Sequence, residues 1–71
     1  MAKEISRTFD TTLGAVIVNV QDSFGNISPH TVYVLNTPDV EAAIAAVLVA
    51  CDVASAALMA KFTAAGWISG A

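Results

Sequence analysis

The sequence predicts an α+β fold in which an N-terminal β-hairpin packs on a long C-terminal Ala-rich helix, with residues for a third short edge strand. The main observation is a sharp change of composition near Thr37. Before it, β-branched residues alternate with polar residues and turn formers, a pattern typical of strands. After it, Ala and aliphatic residues continue almost without a break, which favours helix. The 71 residues make one small domain, with a β region (1–36), a helical region (37–66) and a tail (67–71).

Two segments at the start of the β region alternate as strands do. Residues 3–9 predict the short edge strand. One of its faces holds Ile5, Arg7 and Phe9. Residues 13–21 are the clearest strand. Its two faces are both apolar and hold Val16, Val18 and Val20 on one side and Leu13, Ala15 and Ile17 on the other. Because a strand that is apolar on both faces is typical of a doubly covered position, we expect cover on both sides.

The hairpin turn is predicted at residues 22–26, where Gly and Asn can adopt positive φ. Phe24 at the tip is unusual, because an exposed loop rarely presents a large aromatic side chain to water. Pro29 is expected to end the loop, since proline cannot donate to a strand ladder. Residues 31–35 then form the returning strand.

Thr37 and Pro38 mark the start of the helix. Thr37 is expected to cap the free backbone N–H groups, with Pro38 at the first helical position. Residues 40–65 continue as helix, and Gly66 is a natural stop. We favour one continuous helix, while a break near Asp52, which would then cap a second helix, stays open as an alternative.

The helix is apolar almost all round. One stripe at three- and four-residue spacing is expected to cover the hairpin: Val40, Ile44, Val47, Cys51, Leu58 and Phe62. The opposite side is nearly as apolar and holds Leu48, Val49, Val53 and Met59. A helix that is apolar on all sides is typically buried by other parts of the protein or by its partners.

Small residues recur every four positions along the helix. They are Ala42, Ala46, Ala50 and Ala54. Such a row allows two helix backbones to approach closely, although alanine is also simply the best helix former. We favour a helix–helix contact between chains, because the sequence has too little charge to cover its own surface.

The composition as a whole points to partners. The chain is 56% hydrophobic and 13% charged, against roughly 25% charged in typical domains. A chain this small buries only about 60% of its surface, and its single cysteine and single histidine provide neither an internal disulfide nor a structural zinc site. The net charge of −3, with three scattered basic residues, argues against nucleic acid. We therefore expect protein neighbours, either copies of the chain itself or a larger scaffold.

No motif predicts catalysis, a cofactor or a metal. His30 is expected to be an ordinary loop or edge-strand histidine, and Cys51 an inert core cysteine. Residues 22–26 lack the acids of a calcium loop, and no phosphate loop or dinucleotide fingerprint is present. Asp52 has three open interpretations: a solvated face, a helix cap, or a polar contact across an interface.

The function expected from these observations is that of a non-enzymatic structural subunit of a large assembly, best matched by small virion proteins such as bacteriophage capsid cement, decoration or tail components. Its localisation would be the virion, assembled in the host cytoplasm and not secreted, since residues 1–4 do not begin a secretory signal. The predicted protein-interface residues are Phe24, Ala42, Ala46, Ala50, Asp52, Ala54, Trp67 and Ile68. For Phe24 and Trp67, packing on the chain's own core is an equal alternative.

Two other functions remain as alternatives. Residues 42–60 are long enough to cross a membrane, interrupted only by Asp52 and Ser55, which permits a small holin-like membrane protein. Basic flanking clusters are missing, so we disfavour it. The other alternative is a soluble homo-oligomeric adaptor.

Overall fold

Three antiparallel strands are followed by one long helix in the computed structural model, which describes residues 1–68. The elements are β1 (Lys3–Asp10), β2 (Ala15–Gln21), β3 (Ile27–Tyr33), a short 3₁₀ turn (Val34–Asn36) and α1 (Val40–Ala64). The sheet order is β1-β2-β3. The predicted α+β fold, a hairpin packed on a long helix, is therefore confirmed, and the third strand is present.

The central strand supplies the core. Val16, Val18 and Val20 are at most 2% exposed and pack with Ala2, Val32 and Ile44. The predicted valine face is therefore confirmed. Cover on the opposite face is not: Leu13 is 53% exposed and Ile17 is half-buried. The helix packs on the valine face, and on the other face of the described strands only Ala15 is buried, at 4% exposed.

A β-bulge changes the face assignment of β1. The register with β2 shifts between Glu4 and Ser6, so Ile5 is the extra residue. Glu4 pairs with Val20 and Arg7 pairs with Val18; Glu4 therefore takes the place predicted for Ile5 on the helix-facing side. The prediction that Ile5 shares a face with Arg7 is wrong, because a bulge inserts one unpaired residue and reverses the alternation before it.

The returning strand begins and ends earlier than predicted, because β3 is Ile27–Tyr33 and residues 34–35 lie in the 3₁₀ turn. Pro29 lies inside β3, paired with Asn19, and does not end the loop. Since β3 is an edge strand, the missing N–H of proline leaves only an outer position unfilled. The turn before it is held by Asp22, whose carboxylate accepts hydrogen bonds from the backbone N–H groups of Phe24 (2.9 Å) and Asn26 (3.0 Å).

Helix α1 is continuous through Asp52, so the alternative with two helices is wrong. The cap is also displaced from the predicted residue. The Asp39 carboxylate accepts from the Ala42 N–H at 3.0 Å, whereas the Thr37 hydroxyl donates to the Tyr33 carbonyl at 2.8 Å. Gly66 follows the helix with φ of 77°, as its stop role predicts.

The predicted core stripe of α1 packs on the sheet from Val40 to Cys51, whereas Leu58 is 41% exposed and its predicted place in the core is wrong. Partly buried residues against the core are Val40, Ala43, Val47, Leu48 and Cys51. Leu48 was expected on the far side, and that expectation is wrong. It lies one turn after Ile44, which is 3% exposed, and residues four apart share a helix face.

Candidate interaction surface

The side of α1 turned away from the sheet is exposed and entirely apolar. We call it the outer face; its ten exposed residues are Ala42, Ala45, Ala46, Val49, Ala50, Val53, Ala56, Ala57, Met59 and Ala60. Val49 is 62% exposed and Val53 is 65% exposed. At 1.5 Å per residue the face is about 27 Å long. A continuous exposed apolar surface of this kind is typical of an interaction site.

The outer face carries a heptad pattern along its centre. Its six central positions are Ala42, Ala46, Val49, Val53, Ala56 and Ala60, which alternate four- and three-residue steps. Apolar residues in these steps form the seam of paired helices. The pattern reads the same in both directions about residue 51, with valines at the centre and alanines at both ends. It is therefore complementary to a reversed copy of itself.

The predicted interface residues fall in different places. Ala42, Ala46 and Ala50 lie on the outer face, and Ala54 is exposed at its border. Asp52 is half-buried, and its carboxylate accepts the Ala2 N–H at 2.5 Å. Since α1 runs through this residue, its role as a helix cap is wrong. The observed bond is within the chain, and the interface role of Asp52 stays a prediction.

Phe24 and Trp67 meet in an aromatic cluster through Phe62. The rings of Phe24 and Phe62 are 6.2 Å apart in an edge-to-face arrangement, and those of Phe62 and Trp67 are 5.9 Å apart. The contact within the chain is therefore present. Trp67 nevertheless stays 74% exposed and Ile68 38% exposed, which leaves apolar surface at this end. The remaining predicted tail, 69–71, lies outside the described residues.

One ion-pair network joins β1 to the start of α1. The Arg7 guanidinium donates to the Glu4 carboxylate (2.5 and 2.7 Å) and to the Glu41 carboxylate (2.5 Å). These hydrogen bonds from Arg7 lower the pKa of both glutamates and raise the pKa of the arginine. The network ties charged groups to one another at the start of the helix, away from the centre of the outer face.

A cavity of about 260 Å³ lies between the β2–β3 turn and the middle of α1. Beside it, the Sγ of Cys51 is 3.7 Å from the Nε2 of His30, and the same nitrogen is 3.0 Å from the Oγ of Ser28. In the sequence alone, nothing brings His30 and Cys51 together. The pairing of His30 with Val18 places it on the helix-facing side, and only the strand register reveals this.

The described residues provide no metal centre, since 1–68 contain no group of three or more His, Cys, Asp or Glu side chains placed to hold an ion. Helix α1 is long and apolar enough to cross a membrane by length and composition alone, and 11% of its most apolar stretch is buried. Comparisons with protein-family models, with curated proteins and with solved structures found no match to this chain.

Proposed function

We propose that the protein is a non-enzymatic structural subunit that assembles through the outer face of α1, with a second copy of the chain as its first partner. The observation that carries this proposal is the exposed, fully apolar and self-complementary pattern of that face. Apolar surface exposed to water favours association by roughly 25 cal/mol for each Å² that a contact buries.

The heptad pattern supports an antiparallel pair of helices related by a twofold axis near residue 51. In that arrangement Val49 packs on Val53 of the other copy. The outer layers pair Ala46 with Ala56 and Ala42 with Ala60. A twofold contact requires a patch that complements itself, and small side chains in the outer layers allow the two backbones to approach closely.

Further neighbours are supported by two other apolar regions, the open face of the sheet and the aromatic cluster. Tyr33 on the sheet is 52% exposed, and Ile27 is 59% exposed. A subunit with several such surfaces suits a large assembly better than an isolated dimer. Within that class we propose a virion component, capsid cement, decoration or tail, because an acidic chain without a catalytic motif matches proteins whose only task is to bind neighbours.

The first test is sedimentation of the purified protein without detergent over a concentration series, comparing wild type with Val53→Glu. We expect a dimer or larger species for wild type and a shift to monomer for the variant, since each pair would bury two unpaired carboxylates. Val34→Glu is the matched control, because Val34 is 45% exposed and lies outside α1.

Three results would contradict the proposal. A wild-type chain that stays monomeric at every concentration shows that the outer face has no affinity for itself. Equal effects of Val53→Glu and Val34→Glu place the contact elsewhere. Solubility only in detergent, with partition into lipid vesicles, favours the membrane alternative.

A further inference from the structure

The cavity beside α1 combines a thiol, an imidazole and hydroxyl groups in one place. Its wall includes Ser28 from β3 and both Cys51 and Ser55 from the helix. Cys51 is half-buried, so its sulfur is neither sealed in the core nor fully in water. The His30 imidazole lies 3.7 Å from that sulfur. Two elements distant in sequence thus place a proton acceptor next to a nucleophile.

Ser55 gives independent evidence that this cavity accepts a ligand. It is the buried polar residue of α1, 7% exposed, and it lines the cavity. Among the described residues no hydrogen bond engages its hydroxyl, and no fully enclosed side-chain oxygen lacks a partner. The hydroxyl therefore opens into the cavity, where a bound molecule can supply the hydrogen bond that the chain does not.

The charge of the wall limits what can bind. The lining contains one carboxylate, Asp22, and no basic side chain, in a chain of net charge −3. A small cationic molecule is favoured there, and an anionic one is repelled. Phe24 and Leu58 add apolar surface on the same wall.

We propose that Cys51 is a modification site that forms a mixed disulfide with a small cationic disulfide bound in this cavity. This inference does not depend on the proposed function, because Cys51 is on the core-facing side of α1 and not on the outer face.

The reaction is a thiol–disulfide exchange in which the small disulfide is the oxidant. The Sγ of Cys51 bonds to one sulfur of the reagent, the reagent's S–S bond breaks, and the electron pair leaves with its second sulfur. His30 Nε2 takes the thiol proton and passes it to the departing sulfur, which leaves as a free thiol. Once Nε2 carries that proton it can donate to the Ser28 Oγ, 3.0 Å away, so Ser28 is a positioning residue that steadies the protonated ring.

The test measures the rate at which cystamine adds to the intact protein, by mass spectrometry at about pH 7. The reference is the same chain unfolded in guanidinium, in which Cys51 is an ordinary thiol. In the folded chain the His30 imidazole is in place to take the thiol proton and the cavity holds the reagent beside the sulfur, so we expect the native chain to react about tenfold faster. His30→Gln should remove this gain, and Ser55→Leu, which fills the cavity, should slow the reaction with His30 in place.

Circular dichroism establishes that each variant is folded, and Ser28→Ala replaces His30→Gln if the latter does not fold, with the same expected loss. A native rate at or below the unfolded rate overturns the proposal. An unchanged rate in His30→Gln also overturns it, since the imidazole would then have no part. The anionic disulfide 5,5′-dithiobis(2-nitrobenzoate) tests the ligand class. Its ratio of native to unfolded reaction rates should be smaller than that of cystamine, and an equal ratio excludes a cation-selective cavity.

Discussion

The two sides of helix α1 have similar side chains and opposite surroundings. On the core side Ile44 is 3% exposed, while on the outer face Val49 is 62% exposed. Both sides are aliphatic and both would gain from burial. The difference arises because residues 1–68 contain one three-stranded sheet. This sheet packs on one side of the helix, and no other element of the described chain covers the opposite side. An apolar pattern in a sequence therefore indicates which helix faces are stabilised by burial. It does not indicate whether the covering surface belongs to the same chain or to another.

The largest effect in this comparison is expected from truncating the core side. Ile44→Ala should lower the free energy of unfolding by about 2–5 kcal/mol, because it leaves a cavity against the buried valines of β2. Val49→Ala on the outer face should leave the stability of the monomer almost unchanged and weaken self-association. Urea unfolding at low protein concentration measures both variants. Equal losses would show that Val49 is already buried in the single chain.

A smaller effect is expected where the helix begins. Asp39→Ala should destabilise the protein by about 1 kcal/mol, since it removes the acceptor of the Ala42 N–H. Thr37→Ala serves as the comparison and should not remove the helix cap, because its hydroxyl bonds to Tyr33 outside the helix. The urea midpoints of the two variants measure this difference. A clearly larger loss of stability for Thr37→Ala would show that Thr37 is the helix cap.

The smallest effect concerns the two acids, Glu4 and Glu41, that bind Arg7 at the start of the helix. The pKa values of Glu4 and Glu41 are lowered in the fold by hydrogen bonds from Arg7, below their ordinary value of 4.5. Depressed carboxyl pKa values add stability above the unfolded value, and this is lost as the pH falls through the folded values. Below pH 4.5 the melting temperature of the wild type should therefore fall more steeply than that of Arg7→Gln.

Lys3→Gln controls for charge in this experiment, because it removes one positive charge from the same strand. Its melting temperature should follow the wild-type pH dependence. If Arg7→Gln and Lys3→Gln give the same curve, the ion-pair network contributes nothing specific, and the effect is one of net charge alone.

The fold itself was predictable, because its signals are local. Alternation around Val18 indicates a strand, and the long run of Ala and aliphatic residues, ended by Gly66, indicates a helix. The position of Ile5 was not predictable in the same way. A bulge is decided when two strands pair, and alternation within one strand contains no information about its neighbour.

The sites required knowledge of distant contacts. The outer face was partly predicted through its alanines, since exposure follows from which side of the helix faces the sheet. His30 and Cys51 are 21 residues apart and meet only because the register of β3 turns the histidine towards α1. The choice of Asp39 over Thr37 as cap is similar: both are capping residues, and a bond to Tyr33 outside the helix decides between them.

The hydrogen bond from Ala2 to Asp52 spans 50 residues of sequence. Closing so long a segment costs conformational entropy that only the finished fold repays. The Ala2 amide is therefore protected from exchange with solvent deuterium only while sheet and helix are together. A single proton near the start of the chain thus reports on how often the two layers separate.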